Sequence, residues 1–569
     1  MAYWFLETPT IIKDDTGNVN VPSVVSFKAD RTILIGNEAK QCLIPFPDRT
    51  IASVKRKMGK RHYYNIDGER MPPEYIGALI FQKLTMIAKE QTGIEFVNAV
   101  ISVPANYTDA QRCAIKDAAE IAGLNVVRMI NEPTAAALAY GLQRDPKEGG
   151  VRKTILVYDF GGGTFDVSIL TVDGSFFNVE ASGGINKCGG DDIDEKIVKH
   201  LDTIIRKEYG FDISTDLKVL QEIRTAAEQA KITLSSADTA RISIPFLFRK
   251  KDGSAVAFTH DLRRKVLNDL IEPIIQSTKK PVLDVIKNAG IAINQIDEVI
   301  LVGGTTKIPA VREFVRNLFN KQPLSTLDPH EVVALGAAIT SAEGTKVVAG
   351  FKSEPIEISD VASHSFGIHT FPFDVEKIIE KNEKLPIRHS KNFTNLVDYT
   401  DCLEIEAYEG EDSTTKKENH LGSFFIDVIP KPANSNKLEV NFSIGVEYGI
   451  LDVTAKDLDT GLDKSVRMET KSRLTKPEKR KWIQRMHGDG VKAVVVNDKA
   501  QRTEVTFFIN QNRPVFDILQ RLQQRKMLTA ETSDKKAIFN NNKLLKGTEK
   551  IVDLVFTNGQ VDIELKDST

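Results

Sequence analysis

TILVYDFGGGTFDVSIL, residues 154–170, joins two apolar runs through a glycine-rich turn. The first run delivers Asp159, three glycines and Thr164 follow, and Asp166 lies early in the second run. This order predicts a strand, a tight turn and a return strand. Because consecutive glycines let backbone N–H groups approach a bulky anion, the turn favours phosphate binding, with a hydrated Mg²⁺ near Asp159. A glycine-rich hairpin with a structural aspartate is the alternative.

Two other segments carry related patterns. In EVILVGGTTKIPAV, residues 298–311, an apolar strand again ends in a glycine pair, where a ligand can approach the backbone. A third segment reads AAEQAKITLSS. Its Glu228, Lys231 and Ser235 are spaced i, i+3 and i+7, so they share one face of a predicted helix. A solvated helix face is the alternative.

These segments together resemble a known family. VYDFGGGTFDVSIL is similar to the second phosphate motif, and ILVGGTTKIPAV to the adenosine motif, of the 70 kDa heat-shock chaperones of the DnaK type. Residues 103–142, which include MINEPTAAALAYGL, match that family almost residue for residue. The family lies within the actin-like ATPase superfamily. The resemblance runs from about residue 8 to about residue 485.

The resemblance implies a multidomain chain. It begins with an α/β, actin-like (ribonuclease H-like) ATPase domain of two lobes at residues 1–342. A linker at 343–360, an all-β sandwich at 361–472 and a truncated lid helix at 473–490 follow. A small α+β module is expected at 491–569.

The resemblance also implies the site residues, with ATP or ADP and Mg²⁺ as cofactors. It assigns catalytic roles to Lys55, Glu132, Asp159 and Thr164, with Asp159 holding the metal through water. It assigns nucleotide contacts to Gly161, Gly162, Gly163, Asp166, Gly189, Gly190, Glu228, Lys231, Ser235, Gly303, Gly304 and Thr305. Without the family, Glu132 is equally typical of a helix N-terminal carboxylate and Lys55 of a solvated basic face.

The amino-terminal residues depart from the family pattern. Family members begin with a strand ending in Asp-Leu-Gly-Thr-Thr, the first phosphate motif, and residues 1–27 do not contain it. MAYWFL, residues 1–6, resembles the second strand of that hairpin. One explanation is that Met1 is an internal methionine of a longer protein. The other is that the protein lacks the motif and is a weakened or inactive ATPase.

The region after the ATPase-like part has a different periodicity. Runs such as KLEVNFSIG and GILDVTAKD alternate apolar and polar residues, which predicts an all-β domain. YGILDVTAKDLDTG resembles the family's β-sandwich, which binds extended polypeptides through backbone hydrogen bonds and an apolar pocket. The resemblance places Ile368, Phe371, Leu396 and Leu403 at the pocket or the arch over it. Ordinary sandwich core is the alternative.

The flanks of this all-β region are weaker matches. The family's leucine-rich linker corresponds to PIEIS, residues 355–359, in which Glu357 and Pro355 reduce the apolar character. We therefore expect weaker coupling between the two domains. LTKPEKRKWIQRM, residues 474–486, resembles the start of the helical lid, with Thr475 as its N-cap.

The last segment does not follow the family pattern. Strand-like runs AVVVN, TEVTFFIN, KAIFNNNKLLKG and QVDIEL surround residues 513–526, whose apolar positions have helical spacing. The resulting order resembles a ubiquitin-like β-grasp fold, and an unrelated small α+β module is the alternative. We expect this module to dock an unknown partner or to replace the lid.

Composition sets outer limits on function. The net charge is −2 with 27% charged residues, so we expect no nucleic-acid partner. The sequence has no apolar run of about 20 residues and no signal-like start, so we expect no membrane partner. The cysteines Cys42, Cys113, Cys188 and Cys402 lack metal or disulfide spacing, which indicates a reducing, cytoplasmic setting.

The sequence therefore predicts an ATP-dependent molecular chaperone that holds exposed apolar peptide segments and assists protein folding. Its expected partners are unfolded polypeptides, a J-domain co-chaperone and a nucleotide exchange factor. A nucleotide-binding adaptor or co-chaperone that does not hydrolyse ATP is the alternative. An actin-like small-molecule kinase is disfavoured by the β-sandwich.

Overall fold

The protein is described by a computed structural model. It describes residues 1–6, 8–142, 152–250, 253–324, 327–342, 356–459, 466–467, 474–487, 491–496, 502–507, 536–539, 543–544 and 560–566. The chain forms two compact units. The first comprises Met1–Pro73, Val100–Cys113 and Arg128–Arg473, and the second Glu74–Ala99, Ala114–Val127 and Leu474–Thr569.

Short strands and one short helix open the chain. They are β1 (Ala2–Phe5), β2 (Thr8–Ile11), β3 (Val24–Phe27), β4 (Ile33–Ile35), α1 (Asn37–Gln41), β5 (Thr50–Ala52), β6 (Tyr64–Ile66) and β7 (Glu69–Met71). β3 pairs with both β4 and β5, and β6 with β7. The segment MAYWFL is a strand as predicted, and it pairs antiparallel with β2.

Longer helices follow. The elements are α2 (Pro73–Thr92), β8 (Asn98–Val103), α3 (Asp109–Ile121), β9 (Asn125–Asn131) and α4 (Glu132–Leu142). β8 and β9 form a two-stranded sheet. Since α4 begins directly after β9, Glu132 becomes the first residue of a helix.

The next region builds the main sheet and its helices. Its elements are β10 (Lys153–Phe160), β11 (Phe165–Asp173), β12 (Phe176–Ile185), α5 (Gly190–Tyr209), α6 (Leu217–Thr233), β13 (Thr239–Arg249), β14 (Ala255–Arg263), α7 (Arg264–Ser277), α8 (Lys279–Asn288), β15 (Glu298–Val302), α9 (Pro309–Phe319) and α10 (Val332–Ser341). The predicted strand, turn and return strand are confirmed as β10 and β11.

The apolar run of β10 is continuous because both faces of the sheet are covered. Successive side chains of a strand point to opposite faces. Leu156 and Tyr158 accordingly belong to a core shared with α5 to α9. Ile155 and Val157 belong to a second core, shared with α4 and α10.

Strand register brings the two glycine-rich ends together. β15 runs parallel to β10, with Val302 beside Asp159. β11 runs antiparallel to β10, with Asp166 beside Asp159. Because parallel neighbours end at the same edge of a sheet, the turn after β10 and the glycine pair after β15 are adjacent.

The all-β prediction for the following region is confirmed. After β16 (Glu357–Ser359), the strands of this region are β17 (Phe366–Thr370), β18 (Asp374–Ile379), β19 (Ile387–Phe393), β20 (Cys402–Glu409), β21 (His420–Asp427), β22 (Leu438–Ile444), β23 (Leu451–Asp457) and β24 (Val466–Arg467). Two four-stranded sheets, ordered β18-β17-β20-β21 and β19-β22-β23-β24, enclose a common apolar core.

The segment that matches the family linker is docked on the main sheet. β16 adds to the edge of that sheet, parallel to β12, with Ile358 beside Phe177. Ile356 is only 5% exposed and lies in the core shared with α4 and α10. Strand pairing uses backbone groups, so Glu357 does not prevent docking. The segment is therefore docked on the main sheet although its apolar character is weak.

In the second unit, helix α11 (Lys476–His487) begins as the sequence predicts. Thr475 donates its hydroxyl to Glu478 Oε2 at 2.8 Å, and the Glu478 amide donates to Thr475 Oγ1 at 3.4 Å. Farther along, Trp482 packs against Tyr75 of α2 with ring centroids 4.5 Å apart, and Lys479 Nζ lies 2.6 Å from Asp117 Oδ1 of α3. Aromatic and ionic contacts thus hold helix α11 within its own unit, together with a contact between His487 Nε2 and Ile121 O at 2.8 Å.

The carboxyl-terminal strands form a separate mixed sheet. They are β25 (Val491–Val496), β26 (Arg502–Phe507), β27 (Lys536–Phe539), β28 (Lys543–Leu544) and β29 (Gln560–Lys566), in the order β26-β25-β29-β27-β28. The first and last strands, β25 and β29, are parallel neighbours at its centre. The helix predicted at 513–526 lies outside the described residues.

Among the described residues, no helix combines the length and the apolar character that crossing a bilayer requires.

Candidate nucleotide-binding site

The turn after β10 is built around close backbone approaches. The Gly161 amide donates to Thr164 O at 3.1 Å, which closes the turn. Gly303, after β15, has φ +83°, and a Cβ there would lie 2.4 Å from Phe160 O. Only glycine fits such a position without strain. Thr305 then donates its hydroxyl to Gly161 O at 2.8 Å, which ties the two glycine segments together.

The amino terminus of α5 packs onto the same turn. The Gly190 amide donates to Gly161 O at 3.0 Å, and the Asp191 amide to Gly162 O at 2.8 Å. A Cβ on Gly189 would lie 2.3 Å from Gly162 O, so this position also requires glycine. A helix amino terminus carries partial positive charge, which favours an anion beside it.

Three carboxyl groups close to this turn, those of Glu132, Asp159 and Asp166, interact through their charges. Asp159 is 5% and Asp166 1% exposed, and the Asn106 amide donates to Asp166 Oδ1 at 2.9 Å. Burial, then the negative charges of Glu132 and Asp166, raise the pKa of Asp159 well above its usual range. Burial and Glu132 raise the pKa of Asp166 to about 7.

An excess of buried negative charge suits a divalent cation, because the ion's charge relieves the repulsion. Within the described ranges, no three His, Cys, Asp or Glu side chains are grouped so that they could hold a metal ion directly. The assignment of Asp159 as a ligand through water stays a prediction.

The predicted catalytic pair is in contact. Lys55 lies in a short 3₁₀ turn, Val54–Lys57, and its Nζ is 2.8 Å from Glu132 Oε1. Burial opposes the Lys55 charge, but Glu132, Tyr107 and Asp159 outweigh it and raise the pKa of Lys55. The ammonium is therefore fixed in its charged form next to the carboxyl cluster.

A cavity of about 630 Å³ opens over these groups. Its lining includes Lys55, Arg56, Glu132, the Gly161–Thr164 turn and Asp191. This volume lies within the range of about 300–1,000 Å³ that is typical of small-molecule sites. Lys55, Glu132 and the Gly161–Thr164 turn thus line one cavity.

The predicted adenosine contacts lie on α6 and just beyond it. Lys231 Nζ is 2.8 Å from Asp194 Oδ2 and 3.1 Å from Gly190 O, and Lys40 reaches Glu228 at 3.2 Å. Ser235 follows the end of α6 and donates to Lys231 O at 3.2 Å. Because the helix ends at Thr233, the helical face expected for all three residues stops short of Ser235.

The predicted peptide-site residues divide into two kinds. Ile368 is 3% exposed and belongs to the sandwich core, and Leu403 is partly buried against that core. Phe371 is 76% and Leu396 60% exposed. The first pair fits a pocket floor or ordinary core equally well, and the second pair offers an accessible apolar surface.

Arg56 lines the cavity, although the sequence pattern did not single it out. It lies in a run with Lys55, Lys57 and Lys60 that is typical of a solvated face. In the structure its guanidinium reaches Asp192 Oδ2 at 2.6 Å. The one available signal was an arginine amid lysines, which indicates a need for planar, multiple hydrogen bonds.

Comparison with known sequences decides the family. A sequence model of the family described as "Hsp70 protein" matches residues 1–66 and 62–558. This chain belongs to the Hsp70 family. The match confirms the predicted class, an ATP-dependent chaperone that assists protein folding. It also extends beyond the limits of about 8 and about 485 that the motifs indicated, and includes most of the last segment.

Individual Hsp70 relatives agree. The chain is 39% identical over 480 residues to proteins named "Chaperone protein DnaK" from Thermotoga petrophila and Thermotoga maritima. The aligned region covers 84% of this chain and 79% of each relative.

In this Hsp70 a buried polar cluster joins the β-sandwich to α3. The Asp109 amide donates to Glu409 Oε1 at 3.0 Å, and Asp109 Oδ1 accepts from the Leu451 amide at 2.7 Å. Arg112 donates to Asn131 Oδ1 at 2.6 Å and to Ser363 Oγ at 3.1 Å. Asp109 and Glu409 are 2% and 7% exposed, so two acids face each other away from water.

The pKa values of this cluster are shifted accordingly. Burial, then the charge of Asp109, raise the pKa of Glu409 well above its usual range, against the Asp109 amide and Arg112. Burial also raises the pKa of Asp360, against the Val361 amide and Arg112. Burial and Lys381 lower the pKa of His364 to about 4.

We predict that docking of the β-sandwich weakens as pH rises above the ordinary pKa of Glu409. The pKa of Glu409 is higher in the docked form than in the undocked form. Its contribution to docking is therefore fully present below the undocked pKa and is lost as pH rises to the docked pKa. The docking constant should fall by up to about tenfold per pH unit. Energy transfer between dyes on the two domains measures it.

Glu409→Gln should flatten this pH dependence because glutamine keeps the shape and cannot ionise. Glu404→Gln is the matched control, since Glu404 is exposed on the same strand. The pKa of His364 is lowered from 6.5 to about 4, so this residue gives the opposite slope up to its ordinary value, and the comparison of Glu409→Gln with the parent cancels that contribution. An unchanged slope in Glu409→Gln would show that another group controls docking.

Proposed function

We propose that the cavity over the Gly161–Thr164 turn is the site where this chaperone binds ATP with Mg²⁺ and hydrolyses it. The observation that carries this proposal is the convergence of the turn, the amino terminus of α5 and the Lys55–Glu132 pair on one cavity. Residues 1–342 then form the ATPase domain of the chaperone.

The phosphates are bound by backbone groups. Gly161, Gly162 and Gly163 with Thr164 wrap the β- and γ-phosphates, and the Gly189-Gly190 amino terminus of α5 adds its partial positive charge. Asp159 holds Mg²⁺ through water, with Asp166 as a further acid beside it. The ion supplies positive charge that neutralises the phosphate oxygens.

The nucleoside lies toward α6 and the segment after β15. Glu228, Lys231 and Ser235 contact the sugar and base, and Gly303, Gly304 and Thr305 allow close backbone approach. The Lys231 contacts with Asp194 and Gly190 support this, because they place α6 directly against the phosphate end of the site.

Hydrolysis relies on positioning and electrostatics. Lys55 offsets negative charge that develops on the transferred phosphoryl group, and Glu132 orients the attacking water. The 2.8 Å contact between Lys55 and Glu132 keeps both groups at the same edge of the cavity. Thr164 lies near the γ-phosphate.

The β-sandwich at 361–472 holds an extended, apolar polypeptide segment. Ile368 and Leu403 form the floor of its pocket, and Phe371 and Leu396 contact the chain from above. Docking of β16 on the main sheet links this domain to the nucleotide site. The linker is assigned to 343–360 and the truncated lid helix to 473–490.

We further infer that a J-domain co-chaperone and a nucleotide exchange factor act on this cytoplasmic chaperone. Residues 491–569 form a ubiquitin-like β-grasp module that docks a partner not yet identified. The strand order β26-β25-β29-β27-β28, with its first and last strands parallel at the centre, supports that fold.

The test is nucleotide-controlled peptide binding. A fluorescent, extended apolar peptide should dissociate at least about tenfold more readily with Mg²⁺-ATP than with Mg²⁺-ADP, which corresponds to a coupling within the usual allosteric range. Leu403→Asp should abolish peptide binding while nucleotide binding persists. Equal peptide affinity with bound ATP and bound ADP would contradict the proposal and favour an adaptor that does not cycle.

A further inference from the structure

Arg56 lies in the segment before α2 and contacts both the glycine turn after β10 and the first residues of α5. Its Nη2 lies 2.6 Å and its Nη1 3.2 Å from the two carboxylate oxygens of Asp192. Its Nε lies 3.2 Å from Asp191 Oδ2. Nη2 also donates, at 3.4 Å each, to the carbonyl oxygens of Gly162 and Gly163. One guanidinium therefore spans the turn and the first residues of α5.

The two acids create an electrostatic problem for a phosphate site. Asp191 lines the cavity, and its Oδ1 lies 3.5 Å from where a Cβ on Gly162 would be. Asp192 accepts from the Gly189 amide at 2.9 Å, so it is fixed beside the turn. Negative charge at these positions opposes a polyphosphate.

Arg56 offsets that charge. Burial raises the pKa of Asp191, and Arg56, with Ser53 and Lys231, acts against that rise. For Arg56 itself, burial is outweighed by the hydrogen bond to Asp192 and the charges of both acids, so its pKa is raised. The side chain is 23% exposed, which leaves these interactions only partly screened by water.

We infer that Arg56 is a positioning residue for nucleotide di- and triphosphates: it neutralises Asp191 and Asp192 and fixes the Gly161–Gly163 turn against α5. This inference rests on the proposed nucleotide site. An arginine is required because its planar fork reaches two carboxylates and two carbonyls at once, whereas a lysine is a single point charge.

The experiment measures the dissociation constants of Mg²⁺-ATP and Mg²⁺-ADP for the full chain. Arg56→Gln should weaken both by about 10- to 100-fold, since removing the guanidinium leaves the partly buried Asp191 and Asp192 uncompensated beside the phosphates. Arg56→Lys should recover part of the loss. Lys57→Gln, an exposed neighbour in the same 3₁₀ turn, should bind like the parent.

A rescue separates charge neutralisation from general damage. The triple variant Arg56→Gln/Asp191→Asn/Asp192→Asn should return within about threefold of the parent affinity, because asparagine still accepts from the Gly189 amide and carries no charge. In hydrolysis assays Arg56→Gln should raise KM more than it lowers kcat.

The two proposals fail differently. If the parent chain binds neither nucleotide, the nucleotide site itself is overturned. If the parent binds and Arg56→Gln binds equally well, only the role of Arg56 is overturned. If Arg56→Gln binds weakly and the triple variant binds no better, neutralisation of the acids is overturned.

Discussion

Replacing Lys55 with alanine is expected to slow single-turnover ATP hydrolysis by about 100- to 1,000-fold, the usual loss when one preorganised charge at a transition state is removed. Lys55 contacts Glu132, and its charge also acts on the buried carboxyl groups of Asp159 and Asp166. Its loss leaves Glu132 beside Asp159 and Asp166 without compensation. Rapid-quench measurement with enzyme in excess over ATP reports this step directly.

The pairing of Lys55 with Glu132 gives a stricter version of this test. Glu132→Ala should cause a comparable loss, and the double variant should be little slower than either single variant, because groups that act as a unit are not additive. ATP affinity should change less than about threefold, since both residues are proposed to act on the transition state and not on the bound substrate. Multiplicative losses in the double variant would contradict a joint role.

Replacing Gly336 with alanine should lower the free energy of unfolding of the first unit by about 3 kcal/mol, the upper end of the usual cost of overpacking, because the contact is with rigid backbone. A Cβ on Gly336 would lie 1.8 Å from Ala135 O, so α10 and α4 would have to separate. Both helices cover one face of the main sheet. Urea unfolding followed by circular dichroism measures the loss.

Gly290→Ala is the matched control for this substitution. Gly290 has φ +68° and nothing within 4 Å of a built Cβ, so alanine there should cost only the backbone penalty of about 1–2 kcal/mol. If Gly336→Ala costs no more than Gly290→Ala, the helices tolerate separation and the packing argument is wrong.

Much of this architecture follows from local sequence. Two apolar runs and three glycines predict the hairpin of β10 and β11. A similar apolar run that ends in glycine predicts β15. The period-two pattern of the sandwich is equally local. Helix α11 begins at its predicted cap because Thr475 and Glu478 are only three residues apart.

Other features depend on residues far apart in the chain. Gly189 is required because Gly162 O occupies the space of its Cβ, and Gly336 because Ala135 O does. No sequence pattern predicts either of these two backbone contacts. In the sequence Glu409 looks like any other polar residue of a strand, and only the structure shows that it lies against Asp109.

The sequence by itself determined the strands and the glycine turns, because these depend on residues within a few positions of each other. The tertiary structure alone decided that Lys55 contacts Glu132 and that Arg56, unlike a solvated basic residue, contacts Asp192. It also decided that β16 adds to the main sheet. Each of these contacts joins residues distant in the chain, and their geometry is set by register and packing across elements that no local pattern records.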